Sequence, residues 1–244
     1  MIRLLLMLAL GVPATVWWAT RIAWGTRPGA PNPTGVADEY PRRWAAALLR
    51  IAGVKVVIEN GDVLDPDAAQ VLVANHVSWF DPLALAAYLP GRYCFVAKEE
   101  VRRAPFLGYA IERTGHIFVD RRDHESALRS LDEARVRLEK EKPTVIMFAE
   151  GTRSESGELQ RFKKGPFVLA IQTGADVVPA AISGSRAVMR KHSLLVRSGT
   201  IVVRLGKPIP VRSLTVEDRD RLMLEARDAL TGLLASGAES TRMN

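Results

Sequence analysis

Short apolar runs alternate with longer stretches of helical spacing through most of this chain. Val54 to Glu59, Gln70 to Ala74, Tyr93 to Ala97, Ile117 to Asp120, Thr144 to Phe148, Val177 to Ile182 and Thr200 to Leu205 read as strands. They are rich in valine and isoleucine and bounded by Gly, Pro or Asn. Between them, Pro82 to Leu89, Glu125 to Lys142 and Phe167 to Thr173 read as helices. In the second of these, Leu128, Leu131, Arg135 and Leu138 fall near one face, with charges of both signs around the rest. Thr215 and Asp218 have the spacing of a capping box, and Leu222, Ala226, Ala229, Leu230 and Leu233 follow at helical intervals. Strands that alternate with helices imply an α/β fold: a central mixed, mostly parallel sheet with helices on both faces.

The first fifty residues follow a different pattern. From Leu4 to Thr20 there is no charge, and Arg3 and Arg21 bracket the run. That length sits at the lower edge of what a membrane span needs, about 17–25 apolar residues. Trp17, Trp18 and Trp24 cluster towards one end, as suits rings at headgroup level. A cleaved signal peptide is the competing reading, although no small-x-small site leads into a polar mature start. Gly25 to Pro41, with four prolines, reads as a stiff, irregular connector. Trp44, Ala47, Leu48 and Ile51 then recur at helical spacing among Arg42, Arg43 and Arg50, which suits either an interfacial helix or one packed on the domain. The chain thus divides into an N-terminal membrane anchor with an amphipathic helical segment (1–53), an α/β domain (54–235) and a loose tail (236–244).

Charge narrows the partners. A formal net charge of +7 and a sequence pI of about 9.8 suit a polyanion, either nucleic acid or an anionic membrane surface. Basic residues are largely interleaved with acidic ones, and between Lys98 and Lys142 they nearly cancel, which argues against nucleic acid. The single cysteine, Cys94, permits no intrachain disulfide, and the four histidines form no HExxH or comparable spacing, so no metal and no other cofactor is expected.

Two segments carry candidate chemistry. The strand ending at Asn75 is followed by His76, and Asp81-Pro82 opens a helix. Open α/β sheets bind ligands where strands end. There an imidazole can take a proton from a hydroxyl while a carboxylate fixes its tautomer. Asp81 is equally placed to be an ordinary helix cap before proline. The second segment, Glu150-Gly151-Thr152-Arg153-Ser154, also follows an apolar strand. Its glycine permits close backbone approach, and its arginine offers a planar fork suited to phosphate, though a solvated basic loop fits the same residues. Lys98 and Arg121 stand at two further strand ends. If these ends share one edge, His76, Lys98, Arg121 and Arg153 form a basic pocket around one histidine.

Asn75-His76-Val77-Ser78-Trp79-Phe80-Asp81 resembles the NHxSxxD form of the HX4D motif of the glycerolipid acyltransferases, nearest to their 1-acylglycerol-3-phosphate branch. Gly115 to Arg121, Glu150 to Ser154 with Phe162-Lys163-Lys164-Gly165, and Val178 to Ile182 resemble the family's later blocks, in the same order. Ala149 departs from the usual proline. The resemblance implies His76 as general base on the acceptor hydroxyl, Asp81 as its support, and Arg121 and Arg153 with Lys98 as phosphate ligands. Glu150, Gly151 and Thr152 belong to the same substrate-binding block, Glu150 as organiser of the loop. It implies acyl-CoA or acyl carrier protein as donor, a lysophospholipid acceptor, phosphatidic acid as product, and a seat on the cytoplasmic face of a membrane. Glycerol-3-phosphate or a lyso amino-acid lipid are alternative acceptors, and a non-catalytic protein binding anionic membranes is the rival class. A serine hydrolase is disfavoured, for no GxSxG elbow occurs.

Overall fold

The computed structural model describes residues 2–120 and 123–242. Its strands are β1 (Val54–Glu59), β2 (Gln70–Ala74), β3 (Tyr93–Lys98), β4 (Ile117–Val119), β5 (Thr144–Phe148), β6 (Asp176–Ser183) and β7 (Gly199–Leu205). Among the described residues they form one seven-stranded sheet in the order β1-β7-β6-β2-β5-β3-β4. All neighbours are parallel except β6 and β7, where Ala180 lies opposite Leu205 and Ser183 opposite Val202. The expected mixed, mostly parallel sheet is therefore present.

The apolar runs explain the layering. β2 is buried along its whole length, and successive side chains point to opposite faces. Val71 and Val73 join one core with Val145, Phe167, Leu222 and Leu230. Leu72 and Ala74 join the other with Leu49, Phe80, Leu85, Ile146 and Ile201. The first core is covered by α6 (His124–Glu141), α7 (Gly165–Thr173) and α9 (Arg219–Arg242), the second by α2 (Pro33–Ala52) and α3 (Phe80–Tyr88). Pro179 stands inside β6, where proline is normally excluded. Its carbonyl accepts from Gly206 N–H at 2.8 Å on the side of β7, and antiparallel pairing resumes at Val177 and Ile209, so the missing N–H falls at a local break in the pairing.

Three stretches differ from the sequence expectation. The supposed connector 25–41 becomes helix from Pro33 onward. Asn32 caps that helix by accepting from Gly35 N–H at 3.0 Å, Pro33 occupies its first turn, and Pro41 lies inside it. An interior proline removes one backbone hydrogen bond. Here the loss is tolerated because α2 packs along α1 (Ile2–Gly25), where Trp44 Nε1–H donates to Thr15 and Trp18 meets Tyr40 edge to face. The second stretch holds two short helices, α4 (Glu99–Arg102) and α5 (Leu107–Arg113), within a segment assigned no element. The third is the end of α9, which continues through Arg242 over residues expected to be a loose tail. A four-residue helix, α8 (Ser185–Val188), completes the set.

The N-terminal helix α1 spans 24 residues, with a mean hydropathy of 1.7 over its most apolar window, and is long and apolar enough to cross a membrane. Pro13 cannot donate a backbone hydrogen bond, and the turn before it widens: Met7–Gly11 is π-helical, with Val12 N–H donating to Met7 O.

Candidate active site

Because β2 to β6 are mutually parallel, their C-terminal ends share one edge of the sheet. Asn75 fixes the end of β2 against β6: its Nδ2 donates to Ile182 O at 2.9 Å and its Oδ1 accepts from Ile182 N–H at 2.7 Å. The chain then turns, and the turn is organised by one carboxylate. Asp81 Oδ2 accepts from Val77 N–H at 2.7 Å and Ser78 N–H at 2.8 Å, and lies 2.8 Å from His76 Nδ1. Asp81 is wholly buried. A carboxylate can only accept, so Nδ1 carries the hydrogen and the Nε2 lone pair is left free. The expected N-cap is not formed: the cap residue of α3 is Trp79, with no side-chain cap. Asp81 lies inside the first turn, where its Oδ2 ties down the preceding 77–78 turn and meets the histidine. Asp81 Oδ1 is buried with no hydrogen-bond partner among the described residues.

His76 is held from three more directions. Its ring stacks on Phe148, 4.0 Å between centroids and 18° from parallel. Its backbone N–H donates to Glu150 Oε1 at 2.8 Å, and its carbonyl accepts from Ser154 N–H at 2.8 Å. Glu150 Oε2 accepts from Gln160 N–H at 3.0 Å. Glu150 therefore ties the β2 end to both sides of the loop after β5 and does not face the cavity. Burial pushes its carboxyl above the usual range, opposed by the two backbone donors. Gly151 adopts φ +73°, a left-handed conformation that glycine takes without steric cost, and a Cβ there would press on Lys163 at 3.3 Å.

Past this turn, Arg153 lies over the Trp79 indole, 4.4 Å from the ring centroid. Its Nη1 is buried without a hydrogen-bond partner among the described residues. Loss of water lowers its tendency to hold the proton, and the negative charge of Asp81 opposes that shift. A guanidinium with an unused donor beside a fixed imidazole is suited to an anionic group on a reacting molecule.

His76, Lys98, Gly151, Thr152 and Arg153 all line a cavity of about 770 Å³. The structure thus brings these expected residues to one site, with Asp81 and Glu150 behind it. Lys98 is engaged with Glu100 at 2.7 Å. Arg121 lies outside the described residues. Away from the sheet edge the cavity wall becomes almost wholly apolar, built from Trp18, Ala19, Ile22, Leu83, Ala86 and Ala110. His116 also lines this cavity. Its Nδ1 accepts from Phe95 N–H at 3.2 Å. Desolvation, with a smaller contribution from Arg137, pulls the imidazole down from 6.5 to about 4.

The sign of this shift has a measurable result. Folding excludes a proton that the unfolded chain binds. The contribution is complete above pH 6.5 and is lost as pH falls through 6.5 towards 4, about 3 kcal/mol across the window. Urea unfolding of His116→Gln at pH 7 and pH 5 should show a weaker acid dependence than the unsubstituted chain. Equal dependence would mean that the imidazole is not held neutral.

The acyltransferase family model matches residues 55–183, more than half of the chain, including His76, Asp81, Lys98 and the loop 150–154. The chain belongs to the acyltransferase family. Relatives of this acyltransferase chain include 1-acyl-sn-glycerol-3-phosphate acyltransferase alpha of Homo sapiens, 32% identical over 178 residues, 73% of this chain and 63% of that protein. The 1-acyl-sn-glycerol-3-phosphate acyltransferase of Saccharomyces cerevisiae is 31% identical over 221 residues, 86% and 72% of the two chains. The chain spans a little under two thirds of the human relative's length. The crystal structure of PlsC, the 1-acyl-sn-glycerophosphate (LPA) acyltransferase of Thermotoga maritima, superposes with a TM-score of 0.82 at 20% identity, covering 100% of this chain and 96% of that one. That likeness fixes the fold of the acyltransferase, including its N-terminal helices.

Several residues that shape the acyltransferase site were not assigned to it from sequence, Trp18 having been read as a headgroup-level ring and Trp44 as part of an amphipathic helix. Phe148 and Trp79 provide the platforms for His76 and Arg153, and Thr15, Trp18, Ala19, Ile22 and Trp44 close the cavity from above. The last group carried a signal. Thr15, Trp18, Ala19 and Ile22 recur at three- and four-residue steps, the stripe of a helix that faces something other than lipid alone.

Proposed function

We propose that this chain transfers a fatty acyl group from an acyl thioester to the hydroxyl of a phosphate-bearing lysolipid, with 1-acylglycerol-3-phosphate as acceptor and phosphatidic acid as product. The observation that carries the reading is the free Nε2 of His76, set by Asp81 and turned to a cavity that is basic at its mouth and apolar within. A phosphorylated headgroup matches Arg153 at the mouth, and an acyl chain matches the inner wall. In the proposed step, the acceptor hydroxyl donates its proton to Nε2 as its oxygen bonds to the thioester carbonyl carbon. The tetrahedral intermediate collapses with cleavage of the carbon–sulfur bond, and the imidazolium returns the proton to the leaving thiolate. Asp81 stabilises the imidazolium meanwhile, and no acyl-enzyme is needed. Cys94 takes no part: it is buried, and burial pushes its thiol up to about 12.

The donor is acyl-CoA or acyl carrier protein, both soluble. The apolar length of helix α1 supports a seat at a membrane surface, where acceptor and product would reside, and on its cytoplasmic face, where acyl thioesters are made. A radiolabelled acyl-transfer assay with both donors and with lysophosphatidic acid, glycerol-3-phosphate and a phosphate-free lysolipid tests the assignment. Turnover confined to the phosphate-free acceptor would overturn it. Arg153→Ala should raise KM for lysophosphatidic acid by roughly 10- to 100-fold, the loss of a charge-assisted hydrogen bond to phosphate, with a smaller change in kcat. An unchanged KM would remove Arg153 from the acceptor site.

A further inference from the structure

Strands that run against the rest of a sheet begin where the others end. β7 is antiparallel to β6, and β1 is parallel to β7, with Val54 opposite Gly199. The starts of β1 and β7 therefore lie on the same edge as His76 and Arg153. Two exposed apolar surfaces adjoin those starts. The Arg3 guanidinium, at the beginning of α1, packs against Gly53 just before β1, and Ile2, Leu5 and Leu8 around it are exposed. Residues 189–198 lead directly into β7 and include Leu194, 72% exposed, and Leu195, 41% exposed.

This loop is firmly built. Its base is closed by Arg197 N–H donating to Val188 O at 2.9 Å. Ser78 Oγ, in the turn that carries His76, donates to Met189 O at 2.8 Å. Lys191 pairs with Glu155 at 2.9 Å, and Val196 is buried beneath the loop. His192 adopts φ +62° just before the leucines, a conformation unusual for a residue with a Cβ. A segment so constrained nevertheless turns two adjacent leucines to the outside. Beside them Arg190 and Arg197 are exposed and form no ion pair among the described residues. Paired leucines flanked by free guanidiniums complement a bilayer with anionic headgroups, apolar tips below and cations at the phosphates. An acidic protein would satisfy the arginines but gain less from the leucines.

We propose that residues 189–198 form a second membrane contact, seating Leu194 and Leu195 in the interface of an anionic bilayer. Together with α1, this contact fixes the orientation of the sheet edge that carries His76. It rests on the reading that the acceptor is drawn from a bilayer. Leu194→Cys can be labelled with an environment-sensitive fluorophore in the full chain, since Cys94 is buried and its thiol is held protonated. On phosphatidylcholine vesicles containing phosphatidylglycerol the label should shift to the blue, and much less on phosphatidylcholine alone. Arg190→Glu and Arg197→Glu should each weaken binding to the anionic vesicles by roughly fivefold or more. Leu194→Ser with Leu195→Ser should keep transfer to a short-chain lysolipid dispersed in buffer while losing about tenfold on vesicles.

Absence of the blue shift, or full transfer on vesicles by the double serine variant, would overturn the proposal. So would an equal shift produced by acyl carrier protein without vesicles, which would make the loop a protein-docking element. If the label shifts as expected while the unsubstituted chain transfers acyl groups to no acceptor, the loop proposal stands and the proposed function fails.

Discussion

His76→Ala should lower acyl transfer by roughly 10²- to 10⁴-fold, the usual contribution of a positioned general base. The fall should appear in kcat and kcat/KM alike, because proton removal belongs to the transition state and not to binding. Stability should change little. Asp81 keeps its two backbone donors, Val77 N–H and Ser78 N–H, so the turn and the start of α3 survive the loss of the ring. Vesicle binding should also persist, since α1 is untouched. Radiolabelled transfer at saturating acceptor, beside a urea titration, separates these effects. Transfer at the unsubstituted rate in a folded variant would eliminate His76 as base.

Asp81→Asn is the sharper probe of geometry against charge. The amide oxygen can replace Oδ2 and accept the same three hydrogens. The amide nitrogen then takes the place of Oδ1, an atom that already lacks a partner. The backbone turn should therefore remain, with an unfolding midpoint close to that of the unsubstituted chain. What disappears is the negative charge facing the imidazolium formed during transfer. In a site removed from water such a charge is poorly replaced by solvent. We expect kcat to fall by roughly 10²- to 10³-fold with KM for lysophosphatidic acid nearly unchanged, since Arg153 is not altered. If Asp81→Asn lost stability and activity in proportion, Asp81 would be an anchor of the 77–78 turn alone, and His76 would owe nothing to its charge.

The pairing of these two outcomes depends on a turn whose parts were visible in the sequence. His76 and Asp81 could be named because the motif is local: five residues of chain suffice to bring a carboxylate under the ring. Arg153 could be named because a planar guanidinium follows an apolar strand in a block that resembles the family's, but that it shares an edge with His76 was settled by the parallel pairing of β2 with β5. The seven strands were legible for a similar reason. β2, β5 and β6 are buried on both faces, and such strands are written as unbroken apolar runs. The short helices α4 and α5 were not legible. They lie in a charged stretch with Pro105 and Gly108, and they take shape against α1 and the sheet edge instead of from their own spacing. The second half of helix α2, from Trp44 to Ile51, was legible from its spacing. Its first turns, from Pro33 to Pro41, were misjudged because proline is weighed as a breaker when its neighbours in space are unknown.

Local chemistry was thus fixed along the chain: strands from apolar runs, the imidazole–carboxylate pair from its spacing, the wealth of cations from composition. Fold class and family follow from those. Only the tertiary structure decided that two N-terminal helices would fold back and roof the site, turning a basic strand edge into a cavity of about 770 Å³ with an apolar interior. It also decided that β7 would run antiparallel and bring the leucine-tipped loop to the same edge. Both depend on contacts between segments far apart in sequence, such as Thr15 with Trp44 and Ser78 with Met189, whose partners no single stretch of residues can specify.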